Sequence, residues 1–164
     1  MKSLITSSIC ALVLAFPAFA QEITITNSDD LQEKFEDDYG VRESEKLNKR
    51  LEEKVLKAFD REGLSVHRVE LTLEDAKPNH PTFKQLGDTP GLDGFRSVSL
   101  GGAEITGEAF DADGNSIAQL TYRWFESDLR FAQHGSTWSD ANRAINRFAK
   151  KFADEAKAQL PPSS

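Results

Sequence analysis

The chain has 164 residues, with 20 basic and 27 acidic side chains and a formal net charge of −7. Its length suits one domain with a core large enough to fold without cross-links. The acidic balance argues against nucleic acid and anionic lipid as partners, because both would be repelled.

Residues 1–20 have the pattern of a secretory signal. Lys2 precedes an apolar stretch from about Leu4 to Phe16, and small residues just before position 21 indicate cleavage between Ala20 and Gln21. The apolar stretch is shorter than the roughly 20 residues that a membrane-spanning helix needs. We therefore expect a signal peptide and a soluble mature chain in the periplasm or outside the cell, with no membrane span.

The only cysteine, Cys10, lies inside this segment and raises the alternative of a lipoprotein. A lipid-modified cysteine follows a small residue, whereas Ile9 precedes Cys10, so we favour removal of the whole segment. The mature chain is then acidic and cysteine-free, which excludes thiolate chemistry.

Residues 21–160 are expected to form one domain, followed by a disordered tail over 161–164. Alternating apolar residues between Gln21 and Asn27 predict a short strand. The acidic run over 29–38 indicates the first turns of a helix, with calcium binding as the alternative.

A helix and a strand follow. Apolar residues recur at steps of three and four from about Glu43 to Glu62, which predicts an amphipathic helix that Gly63 ends. Alternation over 65–75 predicts a strand with one wet face. His67 is in phase with the apolar positions of this strand, and we interpret it as bonded to the backbone rather than as a buried ligand or base.

Residues 76–97 contain three prolines and three glycines and show no periodicity. Long loops of this kind are often functional, and the apolar side chains of this one favour an ordered conformation. If any segment determines ligand specificity, it is this loop. With two residues from a later strand, it supplies the predicted partner or ligand surface: Phe83, Leu86, Leu92, Phe95, Arg96, Arg123 and Trp124.

The segment around Gly114 offers two interpretations. Asp111, Asp113 and Asn115 alternate like calcium ligands, but the glycine falls at position four of such a loop and Tyr122 replaces the closing carboxylate. A hairpin with a two-residue Asp113-Gly114 turn fits better, because both central residues tolerate positive φ. We therefore favour the turn over a metal site.

The flanking strands and a final helix complete the chain. Alternation over 103–109 and 118–124 predicts the paired strands, with small Gly107 facing large overlying side chains. An apolar stripe from Trp138 to Ala156 predicts the last helix. A capping-box arrangement of Thr137 and Asp140 is expected to start it.

The elements follow the order β-α-β-(long loop)-β-β-α. Each helix has one apolar stripe and most strands have one apolar face. The sequence therefore predicts an α+β two-layer sandwich, in which about four largely antiparallel strands carry two main helices packed on one face.

Three segments, PTFKQLGDTPGLD, GGAEITGEAFDADGN and STWSDANRAINRFAKKFADE, resemble a family of small, signal-bearing envelope proteins of proteobacteria whose function is unknown. The resemblance covers residues of about 40 to 158. More distantly, the element order is similar to the α+β modules of the TolB amino-terminal domain, CsgG and LptE. This second likeness implies only a layout, and neither likeness supplies catalytic residues. Unlike lipid-anchored members of those wider groups, this chain lacks a usable lipobox cysteine.

The leading functional prediction is a non-enzymatic periplasmic module that binds another envelope component or a small ligand through the sheet face or the 76–97 loop. No cofactor or metal is expected, since no P-loop, G-x-G-x-x-G, H-E-x-x-H or G-x-S-x-G spacing occurs. A metal-dependent hydrolase is one alternative, with these candidate residues: His67, His80, His134, Asp88, Asp93, Asp111 and Asp128. A small-ligand carrier is another, with these aromatic candidates between sheet and last helix: Tyr122, Trp124, Phe131 and Trp138.

Overall fold

The computed structural model describes residues 22–132 and 135–159. The predicted signal peptide with its cleavage site and Cys10, the predicted tail over 161–164, and His134 lie outside the described residues. The elements in chain order are β1 Glu22–Asn27, α1 Asp29–Lys34, a π-helical turn Phe35–Tyr39, α2 Val41–Glu62, β2 Arg68–Lys77, α3 Phe83–Asp88, β3 Gly102–Phe110, β4 Ser116–Phe125, α4 Leu129–Ala132 and α5 Ser139–Gln159.

The four strands form one mixed sheet in the order β1-β2-β3-β4. β1 pairs with β2 in parallel, and the other two pairs are antiparallel. The helices α2 and α5 pack on one face of this sheet, so the predicted α+β fold is confirmed. No helix within the described ranges combines the length and the hydropathy that crossing a bilayer requires.

The two faces of the sheet differ in polarity. Val69, Leu71 and Leu73 of β2 are buried beneath the helices. On the opposite face, one cross-strand row consists of threonines contributed by each strand: Thr26, Thr72, Thr106 and Thr121. Their hydroxyl oxygens lie 3.3 Å apart in the first pair and 3.2 Å apart in the last. The predicted wet face of the sheet is therefore present.

Both long helices use the apolar stripes that the sequence predicts. α2 ends at Gly63, whose φ of 64° gives the left-handed conformation that stops a helix. In α5, Phe148 and Phe152 are fully buried, and the Phe152 ring centroid lies 5.4 Å from that of Phe59 in α2. The helices thus close a single apolar core over the sheet.

The hairpin is confirmed, but the predicted two-residue turn is wrong. Gly114 has a φ of 84°, whereas no described residue other than glycine has a positive φ. The Gly114 amide donates to the Asp111 carbonyl at 3.2 Å, and the Asp111 amide donates to the Asn115 carbonyl at 3.0 Å. The turn therefore spans more residues and needs only one left-handed position.

The Asp111 side chain explains this wider turn. Its carboxylate accepts hydrogen bonds from the Asp113 amide and from both the backbone and side-chain nitrogens of Asn115, at 2.8 to 3.0 Å. These bonds, above all the one from the Asn115 side chain, hold the pKa of Asp111 below its usual value. The carboxylate oxygens of Asp111 are therefore occupied by hydrogen bonds within the turn. Within the described residues there is no group of three or more His, Cys, Asp and Glu side chains placed to hold a metal ion.

The 76–97 segment is more regular than predicted. β2 continues to Lys77, and α3 occupies Phe83–Asp88 behind a capping box formed by Thr82 and Gln85. α3 has six residues and none of them is buried, so it lacks the apolar stripe that reveals longer helices.

Packing at Gly107 gives a direct test of the core. A Cβ atom at this position would lie 2.7 Å from Phe148 Cζ and 2.9 Å from Leu71 Cδ2. We expect Gly107→Ala to lower the free energy of unfolding by about 1–3 kcal/mol, because overpacking forces buried side chains to move. Urea unfolding measures this change. Thr106→Ala, on the wet face of the same strand, is the control, and equal losses in the two variants would contradict the packing described.

Candidate functional site: a groove under the long loop

Asn79, which is fully buried, lies at the start of the loop between β2 and β3 and bonds to the end of the same loop. Its backbone amide donates to the Thr137 carbonyl at 2.7 Å, and its carbonyl accepts from the Ser99 amide at 2.8 Å. A Cβ atom on Gly101 would lie 2.6 Å from the Asn79 side-chain oxygen, so only glycine fits there.

The Asn79 side chain also starts α5. Its Nδ2 donates to Asp140 Oδ2 at 2.5 Å, and its Oδ1 accepts from the Asp140 amide at 2.9 Å. The predicted capping box of Thr137 and Asp140 is therefore wrong. The Asp140 carboxylate bonds to Asn79, and the cap comes from a residue 61 positions away in the chain.

The outer part of the loop is held by local and long-range polar contacts. Gln85 in α3 donates to Asp38 of the π-helical turn at 2.9 Å. Further along, the Asp93 side chain accepts from the amides of Phe95 and Arg96 at 2.8 and 2.9 Å. These two bonds hold the pKa of Asp93 below its usual value. They also fix the backbone that presents Phe95.

Beneath the loop lies an open groove of about 880 Å³, here called the loop groove. Its walls are the first three turns of α2, the loop itself and the start of α5. Its lining includes the apolar side chains of Leu47, Phe83, Leu86, Phe95 and Trp138, and the polar side chains of Glu43, Lys46, Arg50, His80 and Asn142. Its volume falls within the range of about 300–1,000 Å³ that is typical of ligand sites.

Trp138 joins α5 to α2 across the groove. Its indole Nε1 donates to Glu43 Oε2 at 2.8 Å, and Glu43 Oε1 accepts from Lys46 Nζ at 2.7 Å. The Trp138 ring packs edge-on against Tyr39, with the centroids 5.7 Å apart. Burial, together with the charges of neighbouring carboxylates, raises the pKa of Tyr39 to about 12, so this phenol is neutral at physiological pH.

Two side chains of the groove, His80 and Arg50, have buried nitrogen atoms without a hydrogen-bond partner among the described residues. His80 is only 8 % exposed, and neither of its ring nitrogens has a hydrogen-bond partner among the described residues. The buried Nε of Arg50 also has none. Buried polar atoms are nearly always paired, since leaving one unpaired costs about 1–3 kcal/mol. Both residues therefore favour a ligand that offers acceptor atoms.

The rim of the loop groove is strongly apolar and exposed. Phe83 is 84 % exposed and Phe95 is 93 % exposed. Exposed aromatic side chains of this size beside a concave surface are typical of recognition sites.

The residues predicted from the sequence divide between this groove and the sheet. Phe83, Leu86 and Phe95 line the groove, whereas Leu92 and Arg96 belong to the same loop without lining it.

Arg123 and Trp124 lie on β4 instead. Arg123 bonds Glu104 at 2.7 Å on the wet face, and Trp124 faces α5 under the guanidinium groups of Arg143 and Arg147. The role of these predicted surface residues stays a prediction.

The hydrolase candidates do not come together as a set. His67 and His80 lie beyond opposite ends of β2, whose ten residues span roughly 33 Å. Asp111 is in the hairpin turn, at the His67 end. The carrier aromatics are also separated: Trp138 contacts Phe35 and Tyr39, and Phe131 is 63 % exposed.

Sequence reasoning missed Asn79, Arg50 and Asp140 as residues that shape the site. The one available signal was a polar Asn-His pair between Pro78 and Pro81, just after a strand and at the start of the long loop. A scan against protein-family models gives no match to this chain, and a search of curated proteins finds no significant match.

We expect Asn79→Ala to lower the free energy of unfolding by about 2–3 kcal/mol, because it removes a hydrogen bond to a buried carboxylate. Asn142→Ala is the matched control, since this nearby asparagine has no side-chain hydrogen bond among the described residues and sits in a helix that favours alanine. Urea unfolding of the two variants gives the comparison. Similar urea midpoints for Asn79→Ala and Asn142→Ala would show that the Asn79 side chain does not hold the loop.

Proposed function

We propose that this protein is a non-enzymatic, exported module of the cell envelope that binds an acidic peptide segment of a partner protein in the loop groove. The observation that carries the proposal is the placement of unpaired His80 and Arg50 nitrogens beside the exposed rings of Phe83 and Phe95. The export part rests on the signal pattern of the first 20 residues and on the resemblance to signal-bearing envelope proteins.

Charge supports an anionic partner. The chain carries a net charge of −7, yet the α2 wall of the groove presents Lys46 and Arg50. Its one acidic residue, Glu43, already accepts from Trp138 and Lys46. A carboxylate entering the groove therefore meets donors and a positive field, which favours association and correct orientation.

The open rim supports a macromolecular partner rather than a small ligand. A small-molecule site usually buries most of the ligand within its own walls, whereas here the two rim phenylalanines are exposed. A partner protein that covers the rim would bury both rings, and each buried ring contributes about 1.5–3 kcal/mol. A segment with an apolar anchor beside an acidic residue satisfies both parts of the site.

A random-peptide display library selected on the immobilised protein tests this function. We expect enrichment of sequences in which an aromatic or aliphatic residue neighbours Asp or Glu. Phe95→Ser and Arg50→Gln should each weaken binding of the enriched peptides at least tenfold, because each removes an anchor or a charge contact. Phe131→Ser changes an exposed phenylalanine that does not line the groove, and it should leave binding unchanged.

Three results would contradict the proposal. They are an absence of enrichment, enriched peptides without acidic residues, and equal loss of binding in the Phe131→Ser control. Displacement of the peptides by simple aromatic or fatty carboxylates at equal or higher affinity would instead favour the small-ligand carrier.

A further inference from the structure

A second concave site lies further along α2 and α5, and it is basic. Lys54, Lys57 and Arg61 of α2 face Lys150 of α5 across a cavity of about 290 Å³. Its floor is formed by buried alanines, which let the two helices approach closely. We call this cavity the basic seam.

The cations of the basic seam are largely unpaired. Lys54, Lys57 and Lys150 make no ion pair among the described residues, although Glu53 lies one turn before Lys57. Arg61 approaches only Glu62, at 3.8 Å, and Glu62 bonds more closely to Lys157 at 2.8 Å. In a chain of net charge −7, this is a local concentration of positive charge that repels itself.

The basic seam continues the loop groove. Arg50 of the groove is one helical turn from Lys54, and the steps from Arg50 to Arg61 are four, three and four residues, so these side chains form one stripe. At 1.5 Å per residue, the stripe is about 16 Å long. An extended peptide covers that distance with roughly five residues.

We propose that the basic seam binds a run of acidic residues that follows the apolar anchor residue of the partner peptide. The groove and the seam then bind one extended acidic segment together. This inference rests on the proposed function of the loop groove. The seam presents positive charges at successive turns of α2, and these charges complement the carboxylates of the acidic run. Each exposed ion pair contributes little alone, but several in a row make binding steeply dependent on salt and speed the encounter.

Two acetylated, amidated peptides serve as probes: Phe followed by five Glu, and Phe followed by five Gln. Titrations of the full mature protein are followed by amide chemical shifts in NMR at low salt. We expect the Glu peptide to bind at least tenfold more tightly than the Gln peptide and to shift amides around the groove and around Lys54, Lys57 and Lys150.

The double variant Lys54→Gln/Lys57→Gln should weaken the Glu peptide at least tenfold and leave the Gln peptide unchanged. Its control, Lys49→Gln/Lys151→Gln, removes the same charge from exposed positions of the same helices outside the seam. This control should weaken binding less than threefold.

The outcomes separate the two proposals. Equal weakening in both double variants, or equal affinity for the two peptides, overturns the basic seam. If Phe95→Ser weakens both peptides while the seam variants change nothing, the loop groove stands and the seam is wrong. If the Glu peptide depends on the seam lysines but not on Phe95, the seam stands and the groove is wrong. If neither peptide shifts an amide in either site, both are wrong.

Discussion

The paired hydrogen bonds between Asn79 and Asp140 are the constraint on which the site depends. They join the end of β2 to the first turn of α5, and both side chains are almost completely buried. Arg143 lies 3.3 Å from the other carboxylate oxygen of Asp140 and 3.4 Å from Glu126, so the negative charge is shared within a network. A buried carboxylate with these partners is stable, whereas the same carboxylate without them would be costly to bury.

The walls of the loop groove follow from this junction. Because Asn79 fixes the start of α5, it also fixes Trp138, which in turn bonds Glu43 on α2. The loop leaves from the same junction and is pinned again at Ser99. Three segments that are distant in sequence are thus held before any ligand arrives. Under the proposed function, such preorganisation lowers the ordering cost of binding.

Periodicity predicted the parts of the fold that depend on local patterns. The apolar stripes gave α2 and α5, alternation gave the strands, and Gly107 was correctly placed under large side chains. The missed helix α3 is too short and too exposed to show an apolar stripe, and two further failures involve tertiary or side-chain contacts. The start of α5 depends on Asn79, and the wider hairpin turn depends on bonds to the Asp111 carboxylate.

The candidate site was only partly predictable for the same reason. The long loop was identified as the region of interest, and three of the surface residues predicted from it line the groove. The opposite wall, with Arg50, comes from an amphipathic helix in which the sequence does not distinguish Arg50 from the other charged residues of the solvated face. Arg123 and Trp124 are neighbours in sequence, but alternation along β4 places them on opposite faces of the sheet.

Amide hydrogen exchange at Asp140 in the wild-type protein tests the central junction most directly. Amides in the first turn of a helix have no partner within the helix, and the Asp140 amide donates to the Asn79 side chain instead. The structure predicts exchange as slow there as in the buried amides of β3. Exchange as fast as at the exposed loop residue Gly91 would show that the junction is open in solution and that the groove is not preformed.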